Sequence, residues 1–440
     1  MQLCGLDVAF EVNGIYPKCC TMSTVPQMLQ HLVASPNSDV LSCTAMQRSP
    51  DAIESGMERS LCCFGGKSVR IDSVKIRLVR LPLNEAFETS FGRIDSRLIF
   101  LVSVEGEGLT GWGEVVAAEE PRYSYETAGT AHHVIREFLA PAMLSGPISD
   151  LSELAARFAP FRGHNMAKAG LELAYMDLLA RAKGQSLSQL LGGTRQRIPV
   201  GVSLGIQPTP DRLLERVERY LALGYQRIKL KIKPGWDVDI VSEVRRRHPD
   251  ILLSVDANSA YTIEDQDHLK TLDGFGLLMI EQPLDHDDLI DHAKLQSVLR
   301  TPICLDESIT ALRRAQQALD IKSCRIINIK IGRVGGYSQA LAIHDLCHSR
   351  GIPVWCGGML ESGIGRAHNI ALASLPGFTL PGDISASSRF FARDLIVPEV
   401  NVAEDGMVEV PLGPGLGFEV DLDYITSNTQ TVERIERHNV

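Results

Sequence analysis

From residue 198 onward, short apolar runs alternate with amphipathic stretches at a nearly constant beat. The runs fall at 198–204, 227–232, 252–257, 277–282, 302–307, 326–331, 353–358 and 378–384. Between them lie segments with the three- and four-residue spacing of half-buried helices, such as DRLLERVERYLALG (211–224) and GYSQALAIHDLCHSRG (336–351). Each run with its turn and helix makes one βα unit, and eight units predict a closed (β/α)8 TIM barrel of the α/β class. An open doubly wound sheet would carry a glycine-rich phosphate turn after its first strand, and GVSLGIQPTP (201–210) is a poor one.

Upstream, the beat differs. VRIDSVKIRLVRLPL (69–83) and LIFLVSVEGEGLTGWGEV (98–115) predict two or three antiparallel strands, with a turn at Glu105–Gly108 and a loop over Asn84–Arg93. Helical spacing follows at 124–140, 151–158 and 165–183, the last stopping at Gly184. The chain therefore divides into a 67–190 α+β capping domain, a 191–395 barrel and a 396–440 tail whose strand-like pieces are expected to return to the cap.

Residues 1–66 lack a clear period and mix Ser, Pro, Cys and Gly. No basic stretch precedes an apolar core, which argues against a secretory signal, and Glu11, Asp39, Asp51, Glu54 and Glu58 argue against a transit peptide. A poorly ordered extension, or a translation start at Met57, is expected. Cys4, Cys19, Cys20, Cys43, Cys62 and Cys63 crowd this segment, but the adjacent pairs lack zinc-site spacing. Cys304, Cys324, Cys347 and Cys356 lie on apolar stretches as buried thiols, which suits a reducing cytoplasm. A net charge of −10 disfavours nucleic acid or an anionic membrane as a partner. No apolar run reaches the roughly 20 residues of a membrane span.

Five charged residues close apolar runs of the barrel: Lys231, Asp256, Glu281, Asp306 and Lys330, the last four at steps of 25, 25 and 24 residues. Strand C-termini of such a barrel share one mouth, so three carboxylates meet there with two lysines. Carboxylates so placed repel one another unless a cation neutralises them, and all-oxygen ligation favours Mg²⁺ or Mn²⁺ over zinc. Lys229 shares a face with Lys231, which is expected to lower at least one lysine pKa toward that of a usable base. A solvated rim would also accommodate this pair. Lys330 enters from the sixth strand, across from the second. Lysines on either side of a carboxylate-binding metal suit proton abstraction next to a carboxylate. No G-x-S-x-G elbow appears, and His132, His133, His344 and His348 fall on helical patterns.

At these residues the chain resembles the enolase superfamily. Its K-x-K at 229–231 with Lys330 opposite looks like the muconate-lactonising-enzyme subgroup. VDANSAY, EQPL, LDESI, NIKIGRVGG and GGMLESGIGRAHN are similar to the N-succinylamino acid racemase/o-succinylbenzoate synthase family, over about residues 68–420. The resemblance implies that Asp256, Glu281 and Asp306 bind the metal and that Lys231 and Lys330 transfer protons, with Lys229 supporting Lys231. It implies that Asn258 supports metal or substrate and that Arg333 tunes Lys330. Ser203, Gly358 and Met359 would line the substrate pocket, and the loop around Phe87, Ser90 and Phe91 would close over it. Dipeptide epimerases of this subgroup carry Asp-x-Asp on the eighth strand; here Gly382-Asp383-Ile384-Ser385 lacks the second acid. An N-acylated substrate has no ammonium for such a pair to hold. The implied activities are N-acylamino acid racemisation and o-succinylbenzoate synthesis, in a homo-oligomer that is often an octamer.

Overall fold

A computed structural model describes residues 68–89 and 92–437. The expectations placed on residues 1–66, Ser90 and Phe91 lie outside them. An antiparallel sheet opens the fold, with β1 (Ser73–Thr89), β2 (Gly92–Gly106) and β3 (Leu109–Val115) in that spatial order. The last strand, Thr429–Glu436, returns to pair with β1 from Ser73↔Glu436 to Val79↔Thr429. A bulge at Leu78/Val79 shifts the buried parity of β1 from Val74 and Ile76 to Val79 and Leu81. Within the loop expected over Asn84–Arg93, the described residues belong to β1 and β2 instead, because β1 resumes pairing after an irregularity at Pro82/Phe87, with Phe87↔Ile94 and Thr89↔Gly92.

Helix α1 (Asn165–Ala182) lies against this sheet and is buried along nearly its whole length. Glycine in β3 makes the approach possible. A Cβ at Gly111 would stand 2.1 Å from the Ala174 carbonyl oxygen, and one at Gly113 2.2 Å from that of Gly170.

Seven parallel strands follow: β4 (Gly201–Leu204), β5 (Arg227–Lys231), β6 (Leu252–Asp256), β7 (Ile280–Glu281), β8 (Ile303–Leu305), β9 (Ile326–Ile329) and β10 (Val354–Cys356). The eighth strand expected over 378–384 is reduced to parallel bridges, Val354↔Phe378 and Val200↔Gly382, which join the two edges of this sheet and close the barrel. Pro381 has no N–H to give, so a continuous ladder there is interrupted. Helices α2 (Pro210–Ala222), α3 (Tyr337–Ser349) and α4 (Gly363–Ala373) are among those that connect the strands. Cys304, Cys324, Cys347 and Cys356 are free and buried, as expected. Among the described residues no helix is long and apolar enough to cross a membrane.

Candidate active site

Parallel register builds the site row by row. Ser203 stands beside Lys229, Lys231 beside Asp256, and Asp256 beside Glu281. Asp306 and Lys330 follow immediately after β8 and β9. Alternation along β5 turns Arg227, Lys229 and Lys231 to the same side, and all three are buried.

Lys231 Nζ donates to Asp256 Oδ2 at 2.6 Å and to Asn258 Oδ1 at 2.5 Å. Asn258, at φ 43°, turns its backbone N–H onto Asp256 Oδ1 at 3.0 Å and its Nδ2 onto Glu307 Oε1 at 2.8 Å. Lys229 Nζ lies 2.8 Å from Glu281 Oε2, 2.7 Å from Asp383 Oδ2 and 3.2 Å from Asp256 Oδ2. Its ammonium also sits 4.6 Å from the Trp355 ring centre, which the Arg227 guanidinium approaches to 4.8 Å. Arg227 in turn holds Asp383.

Lys330 Nζ donates to Asp306 Oδ2 at 2.7 Å and to the Tyr123 hydroxyl at 3.2 Å. That hydroxyl donates to Asp306 Oδ1 at 2.9 Å, where Arg333 also binds. Arg333 thus reaches Lys330 through Asp306, the route by which it would tune the lysine.

The expected lowering of a lysine pKa is overturned for Lys229. Burial disfavours its charge, but Asp383, Glu281 and Asp256 outweigh burial and hold it above the ordinary lysine value. The like-charged neighbour is one effect against three carboxylates. Lys330 is likewise held well above its ordinary value, with Asp306 overcoming burial. Among the acids, burial and then Asp256 push Glu281 up to about 8. Burial and then Asp306 push Glu307 up to about 7. Asp306 is drawn well below the carboxylate range, because Lys330 and Arg333 overcome its burial.

Among the described residues, no three acids, histidines or cysteines converge as a ready metal cage. Each expected ligand is engaged by an ammonium or amide instead: Asp256 by Lys231, Asp306 by Lys330, and Glu281 by Lys229 and by Asn328 Nδ2 at 2.8 Å. The donor set still fits a hard divalent cation. It offers only oxygen, and its side chains are buried.

A cavity of about 470 Å³ opens over the site, lined by Lys231, Asn258, Lys330, Gly358, Met359 and Phe87 together with cap residues. Arg333 and Asn258 line a second cavity of about 300 Å³ that shares Tyr123 with the first. Ser203 lines neither; it sits beside Lys229, buried, with its Oγ unpartnered.

Sequence reasoning missed Tyr123, Arg227, Glu307 and the pairing of Asp383. Arg227 had a signal, since residues 227, 229 and 231 share parity. Glu307 had none, because the strand stops at Leu305 and parity no longer applies.

Two family models match in succession: the mandelate racemase/muconate lactonizing enzyme N-terminal domain over residues 71–192 and the enolase C-terminal-domain-like model over 212–424. The chain belongs to the mandelate racemase/muconate lactonizing enzyme family. Among relatives of this enolase-type enzyme, o-succinylbenzoate synthase of Geobacillus kaustophilus is 54% identical over 84% of this chain and 99% of that protein. N-succinylamino acid racemase of Thermus thermophilus is 49% identical over 81% of this chain and 96% of its own. A solved enolase-superfamily member from Listeria innocua superposes with a TM-score of 0.82 at 42% identity, over 84% of this chain and 100% of that one.

Proposed function

We propose that the protein racemises N-acylamino acids, N-succinyl derivatives foremost, by moving one proton between the two faces of the α-carbon. The observation that carries this reading is that Lys231 and Lys330, from the second and sixth barrel strands, line the same cavity. One lysine takes the α-proton and the other returns a proton to the opposite face, so the net change is inversion. A divalent cation, Mg²⁺ or Mn²⁺, held by Asp256, Glu281 and Asp306 would neutralise the substrate carboxylate and favour the charge that builds as the proton leaves. Lys229 bridges Asp256, Glu281 and Asp383 and so fixes the carboxylate row beneath Lys231. Arg333 and Tyr123 orient Asp306 and, through it, Lys330.

A second reading is supported by the 54% identical relative named o-succinylbenzoate synthase. The same residues suit syn-dehydration of a cyclohexadiene carboxylate, with proton and leaving group departing on one face. Proton NMR of N-succinyl-L-phenylalanine with enzyme and Mg²⁺ in D₂O separates the two. Racemisation predicts α-proton exchange with loss of optical rotation in the wild type. Lys330→Ala is expected to abolish inversion, and inversion at the wild-type rate would overturn the two-lysine assignment. Exchange without inversion by the wild type would favour the synthase reaction.

A further inference from the structure

Lys231 is supported by a chain of side chains that the chemistry above does not use. Asn258 follows β6 in the left-handed region, at φ 43°, with Ser259 next at φ 62°. Asparagine tolerates that conformation better than most residues. The turn carries its side chain between Lys231 and Glu307, with the amide oxygen 2.5 Å from Lys231 Nζ and Nδ2 2.8 Å from Glu307 Oε1. Glu307 is clamped in turn. Gln282 Oε1 accepts from the N–H groups on either side of it, Asp306 at 3.0 Å and Ser308 at 3.3 Å, while Gln282 Nε2 donates to Ser308 Oγ at 2.7 Å. The carboxyl it aims is buried, with Oε1 on Asn258 and Oε2 without a partner. A carboxyl buried in this way contributes little as a strut, since half of its bonding capacity is lost.

The chemistry of an amide shows what that bond does. Its side chain has a donor end and an acceptor end, and the neighbours decide which way it faces. An ammonium only donates, so a charged Lys231 by itself selects Oδ1. Before it takes the α-proton, however, Lys231 carries a lone pair. An amide turned end for end would donate Nδ2 to that lone pair and block it. Glu307 forbids the turn, because its Oε1 accepts from Nδ2 and would face Oδ1 without a hydrogen if the amide reversed.

We propose that Glu307 is a positioning residue for Lys231: it fixes the polarity of the Asn258 amide, so that the oxygen faces the lysine and the lone pair stays open to the α-proton. This role rests on the two-lysine reading, since Lys231 must act as a base for its lone pair to matter. It goes beyond that reading in giving the two lysines separate supports. Lys231 is aimed from β6 and the end of β8 through Asn258 and Glu307, whereas Lys330 is held by Asp306 and by Tyr123 of the cap.

The test follows the initial α-proton exchange of N-succinyl-D-phenylalanine and N-succinyl-L-phenylalanine separately in D₂O, using the full chain with Mg²⁺. Lys231→Ala marks the enantiomer that Lys231 serves as the one whose exchange it stops. Glu307→Leu is expected to lower kcat for that enantiomer about tenfold or more, with KM moving less and the other enantiomer slowed less. Glu307→Gln, whose amide oxygen still accepts from Nδ2, is expected to recover most of the rate. In an Asn258→Ala background Glu307→Leu should cost nothing further, because the two act as one unit. Equal slowing of both enantiomers, a loss in Glu307→Gln as deep as in Glu307→Leu, or full additivity with Asn258→Ala would overturn the proposal. If Glu307→Leu does not fold, Glu307→Asp, one methylene short of Asn258, takes its place under the same criteria. Exchange without inversion by the wild type would remove the racemase reading, while a loss confined to the Lys231 enantiomer in the Glu307 variants would leave the positioning role standing. Inversion by the wild type with no such bias in the variants would do the reverse.

Discussion

Tyr123 reaches the barrel from the cap with one oxygen shared between a carboxylate and an ammonium. The hydroxyl donates to Asp306, accepts from Lys330, and the ring lies 4.7 Å from the same ammonium. Tyr123→Phe keeps the ring and removes only the oxygen. The lost bonds are to charged groups, worth about 1.5–3 kcal/mol, so kcat should fall about tenfold or more while KM moves less. In D₂O the exchange of one enantiomer should slow more than that of the other, because the Tyr123 hydroxyl bonds Lys330, whereas Lys231 is held by Asp256 and Asn258. Equal slowing of both would mean that Tyr123 acts on the cavity as a whole. None of this was legible in the sequence. Tyr123 and Asp306 are 183 residues apart, and no period links a cap loop to a barrel strand. The strand-end charges were legible because their own spacing carries the signal. Their ionisation was not, since the lysine pair was weighed without the carboxylates that surround it.

Between elements, β3 packs tightly on α1 through its glycines. Gly113→Ala would put a methyl 2.2 Å from the Gly170 carbonyl oxygen and 2.7 Å from the Ala174 nitrogen. Both are helix backbone atoms that cannot step aside singly. Overpacking of this kind costs about 1–3 kcal/mol and should lower Tm by several degrees; an unchanged Tm would show that the helix shifts freely. The strands and helices were largely readable from period alone. The eighth strand was overread, because an apolar run containing Pro381 can close a barrel through isolated bridges without forming a ladder.

At the scale of the whole molecule, two buried carboxylates join cap to barrel. Glu172 of α1 accepts from the Ser338 N–H at 2.9 Å and its hydroxyl at 2.8 Å, at the start of α3. Glu114 of β3 does the same for Ser362 and Gly365 at the start of α4. Burial pushes each up to about 7. A folded pKa above the unfolded value of about 4.5 means that the native state binds more protons, so stability falls as pH rises from about 4.5 to about 7. Glu172→Gln should flatten that decline, removing up to about 3 kcal/mol of pH dependence. Thermal melts of both proteins from pH 4.5 to 8 check it, and parallel curves would assign the slope elsewhere.

The pairing of β1 with the final strand has a consequence for biosynthesis. The first sheet is begun by residues 73–79 and completed by residues 429–436. While the chain is still being made, the ribosome holds back the segment that covers one flank of β1. Every barrel strand is synthesised before that flank can be covered, so the nascent cap waits with an open edge through most of translation. Pairing of residues 429–436 with β1 therefore comes only after every strand of the barrel has been made.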